Sequence, residues 1–232
     1  MKITLSFEKT ISSDLSIMVD VLRASTTITA ALDTFDEIIP CFSKKEAFEI
    51  KKSKPGVLAG ERNGKKIEGF DVGNSPQAIK NYKFNENEFK RLILTTTNGT
   101  RALKNMKSKV LIGSLINAKS VAKRAIELSN NHIDVVMAGR KGKFAIEDFI
   151  ASGEILFWIL QILTKEHKIT EKAQSAVLAR YDYDNIKKAF YNSYSGSKLI
   201  EMGYKNDVDY SLKKNITENV AIYHEGILKS LW

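Results

Sequence analysis

The sequence predicts an α/β protein: a three-layer α/β/α arrangement on a mostly parallel or mixed sheet, followed by a helical C-terminal part. Short β-branched runs alternate with segments of helical spacing through the first two thirds of the 232 residues, the order expected when strands of one sheet are joined by helices on its faces. The unusual polar residues gather just after the predicted strands, where open α/β sheets place their ligand sites. Only three prolines occur, and no Ser/Gly-rich linker or break in composition divides the chain, so residues 1–232 read as a single domain.

Predicted strands cover residues 3–7, 16–21, 37–41, 56–59, 92–95, 110–112 and 133–137. Helical spacing covers 24–32, 44–52, 101–106 and 118–128. Residues 145–164 read as one long helix in which Ile146, Phe149, Ile150, Gly153, Leu156, Phe157 and Leu160 share a face, as a 3.6-residue period requires. From Thr170 onward the pattern suggests two or three helices and then an extended piece over 220–223. A strand, Thr-rich turn, helix, strand sequence occurs at 17–41 and again, with little identity, at 92–112.

Composition narrows the class of protein. With 43% hydrophobic and 27% charged residues the chain is an ordinary folded one. The single Cys41 excludes an internal disulfide and a thiolate-only metal centre, and sits in an apolar run where packing is its simplest role. Lys2, Glu8 and Lys9 interrupt the start, and Gln161 interrupts the longest apolar stretch, so a cytoplasmic protein with no signal peptide and no membrane span is expected. The net charge of +9 is compatible with nucleic acid, a membrane surface or a small anion. The lysines are scattered, however, and no basic face carries interleaved aromatics, which argues against nucleic acid. His132, His167 and His224 lack zinc spacing, and there is no Walker loop, complete GxGxxG or GxSxG elbow.

Four strand-to-helix junctions carry the informative side chains. After the second strand comes VDVLRASTTI, residues 19–28, with Asp20, Arg23 and the hydroxyls of Ser25, Thr26 and Thr27 at a helix start. Capping explains one hydroxyl; three with an Arg exceed that need and suit an anion. LAGERNGKKIEGFDVGNSP, residues 58–76, holds Glu61, Arg62, Glu68, Asp71 and Asn74 in a Gly-rich loop, before Ser75-Pro76 begins a helix. LTTTNGTRAL, residues 94–103, offers Thr97, Asn98, Gly99 and Thr100, then Arg101 in a first turn, where it opposes the helix dipole and points to an external anion. AGRKGKFAIEDFIASGE, residues 138–154, surrounds Gly139 and Gly142 with Arg140, Lys141 and Lys143 and opens the long helix with Glu147 and Asp148. Glu154, seven residues after Glu147, returns to the same edge, where it could face a cleft.

Hydroxyl- and amide-rich cradles, four arginines and oxygen-only ligands together suit Mg²⁺ and a small, multiply anionic phosphate compound. Taken together and in order, VDVLRASTTI, GERNGKKIEGFDVGNSP, TTTNGTRAL and AGRKGKFAIEDFIASG resemble the signature segments of the 2-phosphosulfolactate phosphatase family, with a weaker continuation in SGSKLIEMGYKNDVDY, residues 195–210. The resemblance implies Mg²⁺-dependent hydrolysis of 2-phospho-3-sulfolactate to 3-sulfolactate and phosphate, a step in coenzyme M biosynthesis, on an α/β layered fold. Such a substrate carries about four negative charges at neutral pH, of the order that four arginines and Mg²⁺ balance. On this reading Asp20, Glu61, Asp71 and Asp148 are the expected catalytic residues, and Asp20, Glu61, Asp71 and Glu147 the expected metal ligands. Arg23, Ser25, Thr26, Arg62, Asn74, Ser75, Thr97, Asn98, Gly99, Thr100, Arg101, Arg140 and Lys143 are the expected substrate contacts. A phosphatase for another 2-phosphorylated hydroxy acid and, from a different class, a basic nucleotide- or nucleic-acid-binding module are the competing readings. An assembly of two copies stays open.

Overall fold

A computed structural model describes residues 1–86, 88–97, 99–104, 106 and 108–231, with the backbone alone described at 100, 101 and 104. The seven strands expected from β-branched runs are β1 (Lys2–Phe7), β2 (Leu15–Val19), β3 (Glu37–Cys41), β4 (Val57–Arg62), β6 (Arg91–Thr95), β7 (Lys109–Gly113) and β8 (His132–Met137). Two strands of two residues and two of four join them: β5 (Lys65–Lys66), β9 (Lys168–Ile169), β10 (Ala221–His224) and β11 (Ile227–Ser230). All belong to one sheet in the order β5-β4-β6-β3-β11-β10-β7-β2-β8-β1-β9.

The sheet is mixed for a specific reason. Strands β4, β6 and β3 run parallel to one another, as do β7, β2, β8 and β1. The C-terminal hairpin β10–β11 is inserted between these groups, antiparallel to β3 on one side and to β7 on the other. Three antiparallel steps in succession reverse the chain direction, so the two parallel groups run in opposite senses. The two Thr-rich echoes occupy matching places: each sets its first strand (β2 or β6) one place away from the hairpin in one half of the sheet and its second (β3 or β7) beside the hairpin in the other half.

Helices cover both faces, because consecutive strand residues point to opposite sides. On one face α1 (Ala24–Ala31), α3 (Pro76–Lys80) and α4 (Gly99–Lys104) pack through Ile28, Ala31, Ile79 and Leu103 onto Met18, Leu92, Leu94 and Ile112. On the other, α5 (Ala118–Leu128) and α6 (Ile146–Ile162) cover Ile17, Val19, Leu111 and Val135. There α2 (Lys44–Ser53), capped by Ser43 Oγ accepting from Glu46 N–H, covers Leu58 and Ile93. The C-terminal region holds four helices rather than two or three: α7 (Glu171–Leu178), α8 (Tyr183–Asn192), α9 (Tyr194–Glu201) and α10 (Lys205–Ser211). Side-chain caps from Asp182 and Ser193 divide α8 from its neighbours, a local signal that hydrophobic period alone does not carry.

Helix α6 corrects one expectation. Ile146 is 38% exposed, whereas Glu147, Asp148, Ala151, Ile155 and Ile159 are buried. The helix is enclosed by the sheet, α5 and α7, so an apolar stripe does not identify its inward face. Gly153 fits because α7 crosses directly over it: a Cβ there would lie 2.0 Å from the Ala176 carbonyl oxygen. Glu154 does not face a cleft. It is buried, accepts from Lys214 Nζ at 2.8 Å and from Trp158 Nε1 at 3.2 Å, and faces Arg180. Cys41 is buried, and its burial pushes the thiol up to about 12. No helix among the described residues is long and apolar enough to cross a membrane.

Candidate active site

The loops after β2, β4, β6 and β8 bring four carboxylates under cover: Asp20, Glu61, Glu147 and Asp148 are 5%, 9%, 3% and 2% exposed. Asp20 ends β2. Burial, then the charge of Glu61 and, more weakly, of Glu147, pushes its carboxyl up to about 7, although the N–H groups of Ala24 and Gly99 oppose the rise. Glu61 is the last residue but one of β4 and is held by three donors. Its Oε1 accepts from the Thr97 N–H at 2.9 Å and hydroxyl at 2.7 Å, and its Oε2 from the Gly64 N–H at 2.8 Å. Two loops are thereby tied to one carboxylate.

Asp148 does the same for the other pair of loops. Its Oδ1 accepts from the Val21 N–H at 2.9 Å and its Oδ2 from the Gly139 N–H at 3.0 Å. Burial and the nearby charges of Asp20 and Glu147 raise this carboxyl well above the ordinary range, against the pull of those two N–H groups. Crowded carboxylates of this kind mark functional sites because nothing in folding alone rewards them.

A pocket opens to solvent over Asp20 and Glu61. One wall consists of the strand-end loops, with Asp20, Arg23, Glu61, Asn74, Thr96 and Thr97. The facing wall is α9 with the β8–α6 loop, and presents Arg140, Lys141, Tyr194, Ser195, Lys198 and Met202. The walls meet where Lys141 Nζ donates to Asn63 Oδ1 at 3.4 Å; within the facing wall the Arg140 guanidinium lies over the Tyr194 ring, 3.7 Å from its centre. The pocket thus sets two carboxylates against a basic wall, the arrangement needed to hold a cation and an anion side by side.

The family model for 2-phosphosulpholactate phosphatase matches residues 3–226. The chain belongs to the 2-phosphosulpholactate phosphatase family. It is 46% identical to the 2-phosphosulfolactate phosphatase of Methanothermobacter thermautotrophicus over 226 residues, 97% of this chain and 94% of that one. It is 36% identical to the 2-phosphosulfolactate phosphatase of Methanocaldococcus jannaschii, covering 90% and 89% of the two chains. Against the probable 2-phosphosulfolactate phosphatase of Clostridium acetobutylicum the identity is also 36%, over 94% and 93%.

Within this family member the expected site residues divide. Asp20, Glu61, Arg23, Asn74, Thr97 and Arg140 line the pocket. Buried Asn74 Oδ1 has no hydrogen-bond partner among the described residues. Arg23 is already engaged: its Nη1 donates to Asp207 Oδ2 at 2.8 Å and its Nη2 to the Gly64 carbonyl at 3.0 Å. Ser75 donates to the other Asp207 oxygen at 2.7 Å while capping α3, so its hydroxyl is committed to structure. Ser25 and Thr26 are wholly buried and build the β2–α1 turn, Ser25 Oγ accepting from the Asp20 N–H and Thr26 Oγ1 donating to the Val21 carbonyl. They shape the site without facing it.

Asp71 and Arg62 stand apart from the pocket. The Asp71 carboxylate accepts from the Leu58 N–H at 2.7 Å and from Lys51 Nζ at 3.0 Å, fastening the long loop to β4 and α2. Arg62, one residue past Glu61, points to the other side of β4, where its guanidinium donates to the Phe42 carbonyl, Thr95 Oγ1 and the Glu61 carbonyl. Alternation along a strand makes neighbours such as Glu61 and Arg62 face opposite ways. Lys143 is exposed and pairs through its backbone with Arg140, leaving Lys141 to reach the pocket. Asn98 lies outside the described residues, as do the side chains of Thr100 and Arg101. Gly99 approaches Asp20 closely: a Cβ would lie 3.0 Å from Asp20 Oδ2 and 2.6 Å from the Ala24 Cβ. Asp148 and Glu147 lie behind Asp20, and Asp148 positions loops through backbone bonds.

Residues missing from the sequence reading come chiefly from α9 and α10: Tyr194, Ser195, Lys198, Met202 and Asp207. The Ser195–Tyr210 segment resembled the family only weakly, and no strand end or glycine cluster singles out its side chains. Among the described residues no three His, Cys, Asp or Glu side chains are grouped to hold a metal ion, so the expected four-carboxylate set does not form. Asp20 and Glu61 remain as two oxygen-donor side chains on one pocket edge. That set fits Mg²⁺, which is held by one or two carboxylates together with waters and substrate phosphate.

Proposed function

We propose that this protein is a Mg²⁺-dependent phosphatase that converts 2-phospho-3-sulfolactate and water to 3-sulfolactate and inorganic phosphate. The supporting observation is one pocket, in a chain of this family, that sets buried Asp20 and Glu61 against a wall carrying Arg140, Lys141 and Lys198. The substrate bears phosphate, carboxylate and sulfonate on three carbons, so both a cation and fixed positive side chains are needed to gather it.

On this reading Asp20 and Glu61 hold the ion, which when bound supplies Lewis-acid charge to the phosphate oxygens. The chain supplies the rest. Thr97 and Gly64 fix the Glu61 carboxylate with three hydrogen bonds, so it does not reorganise as charge moves. Asp148 clamps Val21 and Gly139, setting Asp20 and Arg140 in register across the pocket. Tyr194 carries the Arg140 guanidinium over its ring, which leaves guanidinium donors for an anionic group. A water oxygen forms the new bond to phosphorus as the bond to the C2 oxygen breaks, and that oxygen takes a proton to leave as the hydroxyl of 3-sulfolactate.

Phosphate release from 2-phospho-3-sulfolactate tests the reading, measured with Mg²⁺, with excess chelator, and for Asp20→Asn and Glu61→Gln. Turnover that needs Mg²⁺ and falls at least about 100-fold in each variant is the expected result. No release with millimolar Mg²⁺ overturns the substrate, full release in chelator overturns the metal, and near-normal variants overturn the roles of the two carboxylates.

A further inference from the structure

The cations of the pocket are not equivalent. Arg23 is neutralised by Asp207, whereas Lys198 makes no ion pair or side-chain hydrogen bond with any described residue. Arg140 likewise has no carboxylate partner among the described residues; its guanidinium rests on Tyr194. Ser195 lies three residues before Lys198 on α9 and also lines the pocket, and its hydroxyl has no partner among the described residues. Residues three apart share a helix face, so hydroxyl and ammonium present adjacent donors to the same space. A lysine and a serine without partners among the described residues at the edge of a pocket are available to an external anion.

Shape distinguishes the two subsites. An ammonium carries three tetrahedral donors on a flexible stem and matches a group with three equivalent oxygens, such as a sulfonate. A guanidinium is a planar fork that matches a planar carboxylate. We infer that Lys198 and Ser195 form the subsite for the sulfonate of the substrate, and that Arg140, held by Tyr194, takes its carboxylate. The inference rests on the substrate reading above and adds to it the residues that select a sulfonated substrate over one without the sulfonate. Helix α9 is then the specificity element, and the strand-end loops the phosphate end of the pocket.

2-Phospholactate differs from 2-phospho-3-sulfolactate only in having hydrogen in place of the sulfonate, so the ratio of kcat/KM for the two reports the sulfonate subsite. Lys198→Met is expected to lower that ratio about 10- to 100-fold, as loss of a charge-assisted contact does, and Lys198→Arg to recover part of it. Arg140→Leu should lower both kcat/KM values together, because both substrates carry the carboxylate, and leave their ratio within about twofold. A ratio unchanged in Lys198→Met, or a ratio that falls in Arg140→Leu instead, overturns the assignment. Wild-type protein that releases phosphate from neither compound overturns the underlying substrate reading and is distinguishable from both.

Discussion

Arg23 and Asp207, 184 residues apart in sequence, meet as a buried ion pair at 2.8 Å, with side chains 3% and 4% exposed. The Arg23 guanidinium also stacks on Tyr204, 4.6 Å from the ring centre, and the second Asp207 oxygen accepts from Ser75. One carboxylate on α10 therefore fastens the β2–α1 loop and the start of α3 to the C-terminal helices, and the pocket lies between them.

Asp207→Ala leaves the Arg23 guanidinium buried without its partner. Removing one member of a buried pair costs about 3–5 kcal/mol, so urea denaturation should show a loss of that order and a higher KM for the phosphate ester. A midpoint equal to wild type would show that the pair does not hold the C-terminal helices to the site.

Asp20→Asn separates function from stability. In the folded, metal-free protein the Asp20 carboxyl lies near 7, against 3.8 in a free carboxyl. A raised folded value gives stability that is present below pH ~4 and lost as pH rises toward about 7. Thermal melts in chelator should accordingly show that Asp20→Asn flattens this fall and melts above wild type at pH 7.5, while phosphate release is lost. A variant that melts lower than wild type at that pH would contradict the crowding of Asp20 by Glu61.

Gly99→Ala places a methyl 2.6 Å from the Ala24 Cβ and 3.0 Å from Asp20 Oδ2. The two loops must separate to admit it, at about 1–3 kcal/mol. Activity should fall by at least about tenfold, with a secondary structure content by circular dichroism equal to wild type. Normal kcat/KM would mean that the close approach of these loops is not needed for turnover.

Asp71→Asn is the informative contrast. Its carboxylate is occupied by Leu58 and Lys51 away from the pocket, so phosphate release should stay within about twofold, with a stability loss of about 1 kcal/mol in denaturant titrations. A large loss of activity at unchanged stability would return Asp71 to the site.

Much of the layout was legible because strands and their ends leave local signals. Seven β-branched runs marked seven strands, and Asp20 and Glu61 stood at strand ends before helix or turn signals, where an α/β sheet exposes them. The central hairpin was half legible: the extended piece expected over 220–223 is β10, but β11 reads as an ordinary Ile-Leu-Lys-Ser stretch, and nothing local says that it inserts between β3 and β10. Helix α6 misled because an enclosed helix has no solvent face against which to judge an apolar stripe. Ser25, Thr26 and Ser75 misled for another reason, since a hydroxyl satisfied by the backbone of its own turn looks the same in sequence as one facing a ligand.

The amino-acid sequence by itself determined the α/β class, the strand-to-helix junctions and, through four ordered segments, the family. These depend on periodicity, turn residues and short motifs, which act over a few positions at a time. Only the tertiary structure decided which of those side chains share a pocket. Glu61 enters while Arg62 turns away, because strand neighbours face opposite sides, and Asp71 is drawn off by Lys51. Helix α9 adds Ser195 and Lys198 from more than a hundred residues downstream of Asp20 and Glu61. Long-range contacts of that kind are set by packing and chain direction across the whole sheet, which no local pattern encodes.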